Sequence, residues 1–121
     1  MNRHKFDTAQ QLYLRFLKLA QSLSQLPGVT ALAPPEAHLL QEVVLRDFEH
    51  RAFTVSEALA MKHLGSPATL HKRLLRLHAA GLLDYKKDAK DHRTKYLIAT
   101  PLAMQHYARI GEVMQLLMQA E

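Results

Sequence analysis

Cysteine is missing from all 121 residues of this chain, which removes disulfides, thiolate metal sites and cysteine-based redox sensing together. Glycine is scarce, at four residues, and none of them builds a phosphate-binding loop or a nucleophile elbow. No pair of carboxylates suggests a cleft for acid–base work, so no enzyme activity and no cofactor are expected. No apolar run is long enough to cross a bilayer, and Asn2-Arg3-His4-Lys5 leads into an amphipathic pattern rather than a signal-peptide core. A cytoplasmic protein with no membrane partner is expected. Repeats and low-complexity tracts are absent as well.

One further gap is local. No acidic residue lies between Lys62 and Leu83, so the basic side chains there are not paired in the i, i+4 manner of an ordinary solvated helix. Over residues 62–96, six lysines and three arginines stand against three aspartates, a surplus of six in a chain whose net charge is +5. The rest of the chain is therefore close to neutral, and the positive potential is concentrated in one segment. Such a patch suits phosphates, and counterion release would make its affinity for DNA salt-dependent. A membrane surface would want an apolar face beside the lysines, but the leucines here are needed for a core.

The length and a 48% hydrophobic content fit a single domain, residues 1–121, with a core of its own. The order of elements from Thr54 to Pro101 is the most specific signal. Thr54 followed by Glu57 is a capping box that starts a helix, with Val55, Ala58, Leu59 and Met61 as its apolar contacts and His63-Leu64-Gly65 as its end. Ser66-Pro67 restarts the chain as N-cap and first helical residue. The second helix spans about Pro67 to Ala80, with Leu70, Leu74 and Leu77 toward a core and Leu75 beside them. Thr69, Lys72, Arg73 and Arg76 occupy the opposite surface.

Gly81 closes that helix. Leu82 to Lys87 reads as a strand, Asp88 to Thr94 as a charged tip holding Lys90, Asp91, His92 and Arg93 outward, and Lys95 to Thr100 as a second strand. This is the layout of a winged helix-turn-helix, whose second helix fits a major groove and whose hairpin tip can place a guanidinium in a minor groove. Before it, Leu26 to Pro35 breaks the pattern as a loop. A helix from about Pro35 to Glu49 follows with Leu39, Leu40, Val43, Val44 and Phe48 inward, and Arg51-Ala52-Phe53 adds a short strand to the wing. The fold class is mainly α (α+β): a winged helix-turn-helix lobe over 35–100, a two-stranded wing, and terminal helices over 5–26 and 101–120.

Gly81-Leu82-Leu83, Asp91-His92-Arg93 and Leu97-Ile98-Ala99-Thr100-Pro101, in letters and in gaps, resemble the wing signature of the MarR (multiple antibiotic resistance regulator) family of bacterial transcription regulators. Thr54 to Ala60 is similar to that family's first helix-turn-helix element, and Ser66-x-x-Thr69 to the start of its recognition helix. The likeness covers about Pro35 to Pro101. It implies a regulator that binds double-stranded DNA at a pseudo-palindromic operator, with Arg93 in the minor groove and Asp91 orienting it. The expected DNA-binding set is Ser66, Pro67, Thr69, Lys72, Arg73, Arg76, Lys90, Asp91, Arg93 and Lys95. Ala103 stands where the family often has another small turn residue. Arg73 and Leu75 stand where it more usually has an apolar and a polar residue, which leaves open a rotated helix face or altered contacts.

The terminal helices carry more apolar surface than one small domain can bury. Ala9, Leu12, Phe16, Leu19, Leu23 and Leu26 keep helical spacing beside a second stripe of Tyr13, Leu17 and Ala20, and the last helix repeats the excess. Since the resembled family dimerises through such helices, a homodimer is expected through Leu12, Phe16, Leu19, Leu23, Tyr107, Ile110, Met114 and Leu117. The resemblance also implies a small aromatic effector. Tyr13, Phe16, Phe48 and Tyr107 are available to line its pocket, and equally available to be core. The eight histidines are scattered without ligand spacing, so no metal site is expected. The competing reading is a protein-interaction module that uses the same basic helix for an acidic partner.

Overall fold

The computed structural model describes residues 5–23 and 32–119. Most of the expected Leu26–Pro35 loop, and the expected helix ends at Leu26 and Ala120, lie outside the described residues, as does the side chain of Leu23. The elements are α1 (Thr8–Leu23), α2 (Pro34–Phe48), α3 (Val55–Leu59), a 3-10 turn (Lys62–Leu64), α4 (Pro67–Ala79), β1 (Leu83–Lys87), β2 (Lys95–Ala99) and α5 (Pro101–Gln119). They form two compact units, one of α1 with α5 from His106 onward and one spanning Leu32–Gln105. Among the described residues no helix is long and apolar enough to cross a membrane.

In the first unit, Asp7 starts α1. Its carboxylate accepts the Gln10 N–H at 2.7 Å while the Gln10 side chain accepts the Asp7 N–H at 2.9 Å, a reciprocal cap that satisfies two amides. Leu19 is 3% exposed and lines a cavity of about 310 Å³ with Leu12, Tyr13, Phe16, Met114 and Leu117. Arg15 closes one side, donating to the Leu117 carbonyl at 3.4 Å.

The second unit is built around leucine. Leu39, Leu40 and Val43 of α2, Ala58 of α3, Leu70, Leu74 and Leu77 of α4, and Leu82, Leu83, Leu97 and Ala103 are all buried, each large side chain contributing roughly 1.5–3 kcal/mol by leaving water. The strands pair antiparallel with Leu83 opposite Ala99 and Lys87 opposite Lys95. In place of the expected strand at Arg51-Ala52-Phe53, a single bridge joins Thr54 to Tyr96, and the Phe53 carbonyl accepts the Leu97 N–H at 2.8 Å.

Two helices end in the same motif. At the C-terminus of α4, Gly81 takes φ 76°, the Leu82 N–H reaches the Leu77 carbonyl and the Gly81 N–H reaches that of His78. Leu82 and Leu77 are both buried, which supplies the hydrophobic contact of a Schellman cap. Residues Arg51 and His50 repeat this pattern on the Arg46 and Asp47 carbonyls, with His50 at φ 59° in the glycine position.

Three expectations are corrected here. Phe48 is not inward but 78% exposed, because the last turn of α2 carries it past the face that holds Leu39, Leu40 and Val43. Leu75 is 49% exposed: one residue beyond Leu74 is a rotation of about 100° on a helix, off the buried stripe. The first helix of the helix-turn-helix stops at Leu59, capped at Ala60, and the 3-10 turn covers the remainder. No glycine or proline marks that break.

Candidate nucleic-acid interface

The capping box forms as its residues require. The Thr54 hydroxyl accepts the Glu57 N–H at 3.1 Å and the Glu57 carboxylate accepts the Thr54 N–H at 2.9 Å. These bonds hold the Glu57 carboxyl below its ordinary value, the backbone bond from Thr54 contributing most. Ser66 caps α4 by accepting the Thr69 N–H at 3.2 Å, and its own hydroxyl donates to the Thr69 oxygen at 2.9 Å. Pro67 fills the first helical position.

The tip between β1 and β2 is shaped by two aspartates. Asp88 Oδ2 accepts the N–H groups of Lys90 and Asp91 at 3.0 and 2.9 Å, which depresses its carboxyl below the usual range. That negative charge, with the Tyr96 hydroxyl 3.4 Å away, pushes the tyrosine up. Asp91 accepts the Arg93 N–H at 3.1 Å and the Thr94 hydroxyl at 3.2 Å, and its carboxylate lies 3.6 Å from Arg93 Nε. The Arg93 side chain is 96% exposed. A tip held by bonds to its own backbone therefore carries a guanidinium in open solvent.

Between this tip and α4 runs a groove of about 580 Å³, lined by Thr54, Val55, Ser56, His71, Leu75, Tyr85, Arg93, Thr94 and Lys95. Burial pushes the Tyr85 hydroxyl up, and its ring packs 4.9 Å from that of His78. Lys72 is exposed on α4, as are Lys90 and Lys95 on the wing. Two arginines of the expected set are occupied. Arg76 Nη1 meets Glu36 of α2 at 3.0 Å, so the positive face of α4 is paired in part after all, by a carboxylate that i, i+4 spacing cannot reveal. Arg73 Nη1 donates to the Leu64 carbonyl at 2.7 Å and is half-buried.

Of the four aromatics considered for an effector, Tyr13 and Phe16 line the cavity of the first unit, Phe48 belongs to the second unit, and the buried hydroxyl of Tyr107 has no hydrogen-bond partner among the described residues. The sequence reading missed His71, Leu75 and Tyr85 as groove residues. His71 and Leu75 stand four apart on one helix face and out of phase with the buried leucines, which is the signal that locates them.

No protein-family model and no curated protein matches the chain. Solved structures do. A heme sensor protein, PefR from Streptococcus agalactiae in complex with heme, superposes with a TM-score of 0.57 at 22% identity over 90% of this chain and 72% of its own. The S. aureus MepR–DNA complex gives 0.54 at 14% identity over 92% and 82%, and MarR itself gives 0.54 at 15% over 93% and 79%. The fold is that of the MarR regulators. Within this MarR-type fold, α3 and α4 form the helix-turn-helix and the β1–β2 hairpin forms the wing.

Proposed function

We propose that this chain is a MarR-family transcription regulator that binds double-stranded DNA in the bacterial cytoplasm as a homodimer, at a pseudo-palindromic site. The observation that carries the reading is the groove between α4 and the wing. One wall bears His71 and Leu75, the other Arg93 and Lys95, and the 62–96 segment holds the chain's whole positive surplus. A duplex backbone passing between a helix in the major groove and a hairpin in the minor groove needs such a basic channel.

The DNA contacts in this reading are Lys72 and the α4 N-terminus at Ser66, Pro67 and Thr69, with Lys90, Arg93 and Lys95 from the wing and Asp91 steadying Arg93. The first unit supports self-association: Leu12, Tyr13, Phe16, Met114, Leu116 and Met118 are all exposed on α1 and α5, more apolar surface than two solvated helices need. Its cavity of about 310 Å³, apolar apart from Arg15, supports a small aromatic effector. Such a ligand acts only through unequal affinity for two arrangements of the protein.

Selection from a pool of random duplexes tests the proposal. A DNA reader enriches one sequence and prefers it over bulk DNA by about a thousandfold or more at physiological salt. Weak binding that is uniform across sequences favours the protein-interaction module instead.

A further inference from the structure

Arg73 sits on α4 among the basic residues, yet its guanidinium is turned away from them. Nη1 donates to the carbonyl of Leu64, the last residue of the 3-10 turn, at 2.7 Å. The same nitrogen lies 3.4 Å from where a Cβ on Gly65 would stand, beside Thr69 Cγ2 at 3.5 Å. Gly65, at φ 142°, is the residue through which the chain turns into α4. A glycine in that conformation leaves the turn without side-chain restraint. The bond from Arg73 spans it, from α4 back to the segment α4 departs from.

We propose that Arg73 is a positioning residue that fixes the direction of α4 relative to the preceding turn and thereby sets sequence discrimination, without neutralising a phosphate. This rests on the DNA-reading function proposed above. Base-edge hydrogen bonds are short and directional, so a small rotation of α4 removes them. Phosphate attraction is long-ranged and survives the same rotation. Loss of the Arg73 bond therefore weakens binding to the right sequence far more than binding to any other. The arrangement also accounts for an arginine where the resembled family more usually has an apolar side chain: its stem is half-buried, and its charge is used inside the motif.

The test compares the full chain with Arg73→Met, Arg73→Gln and Lys72→Ala. Each is titrated, over a range of salt, with a duplex selected by the unaltered chain and with an unrelated duplex of equal length, and folded fractions are read by circular dichroism. Arg73→Met should lose about tenfold per half-site on the selected duplex, the worth of one charge-assisted hydrogen bond in each subunit, and less than about twofold on the unrelated one. Its salt slope should not change, whereas Lys72→Ala should weaken both duplexes alike and flatten the slope by about 0.9 per subunit, about 1.8 for the dimer. Arg73→Gln keeps a stem and an N–H and should fall between, and it carries the comparison if the methionine variant fails to fold. A flattened slope in Arg73→Met overturns the proposal, because it identifies a phosphate contact. Equal losses on both duplexes that follow the folded fraction also overturn it, as a purely structural role. A wild-type chain that selects no duplex overturns the DNA-reading function itself, an outcome distinct from either.

Discussion

Asp47 Oδ2 accepts the backbone N–H of Ala99 at 2.9 Å, tying the last turn of α2 to the end of β2 across 52 residues of sequence. The wing is thus anchored on the helix beneath it at a point where strand pairing runs out. Asp47→Ala removes the acceptor and leaves a half-buried amide without its partner, at a cost of about 1–3 kcal/mol. Asp47→Asn keeps an acceptor and should cost less. Urea midpoints measured with an unchanged slope would show this ordering, and equal midpoints for the two variants would remove the hydrogen bond from the account.

His50 and Gly81 occupy the same position in two equivalent helix caps, at φ 59° and φ 76°. An L side chain in the left-handed region is disfavoured by roughly 1–2 kcal/mol relative to its ordinary conformation, a penalty glycine escapes. His50→Gly should therefore raise stability by about 0.5–1 kcal/mol, part of the gain being offset by the wider freedom of glycine in the unfolded chain. Gly81→Ala should lower it by about 1 kcal/mol or more. Thermal melts that move in opposite directions for the two substitutions would establish the equivalence of the caps.

These caps also mark what a reader of the sequence can see. Gly81 announces its helix end, as do Thr54 with Glu57 and Ser66 with Pro67 their helix starts, because each is a chemical requirement of neighbouring backbone amides. The end of α2 is silent, since histidine at a glycine position carries no local sign. The buried leucines of α4 were legible from spacing, and Leu75 fell off their stripe by a single residue. The partners of Arg73 and Arg76 were not legible. A carbonyl nine residues away and a carboxylate forty residues away are brought near only by the packing of the whole unit. The groove between α4 and the wing is likewise a product of tertiary packing, built from residues of four separate stretches.

Stability should fall with acid in a way that Glu57 and Asp88 share. Both carboxyls are held below their ordinary values of 4.5 and 3.8, chiefly by backbone N–H groups that bond the ionised form. A depressed value in the folded state stabilises above the unfolded value and ceases to do so as pH falls through the folded one. Denaturation midpoints should accordingly hold steady above about pH 5 and decline below it. Glu57→Gln can still accept the Thr54 N–H but no longer titrates, so its decline should be shallower. An identical acid limb in both proteins would exclude Glu57 as a source.

Arg93 contributes nothing to the fold that its removal would expose, being in open solvent with only a 3.6 Å approach to Asp91. Arg93→Ala should leave the melting temperature within error, since an exposed pair of this kind is worth about 0–1 kcal/mol. On the selected duplex it should weaken binding markedly and flatten the salt slope by about 0.9 per subunit, about 1.8 for the dimer, the signature of one phosphate-proximal cation on each wing. Unchanged affinity at moderate salt would take the wing out of the binding mechanism.

Self-association is best tested away from Leu19. That residue is only 3% exposed, so a charge there would disrupt the packing of its own unit and say nothing about a partner. Phe16 is 52% exposed on α1 and is the better probe. In a lone chain Phe16→Glu places its charge in water at little cost. In an interface built from α1 and α5 it buries an unpaired carboxylate, which costs several kcal/mol and separates the subunits. Sedimentation should therefore show a dimer for the natural chain and a folded monomer for the variant. A dimer that persists with native circular dichroism would place the interface elsewhere than this face of α1, while a natural chain that sediments as a monomer at micromolar concentration would dispose of the paired reader altogether.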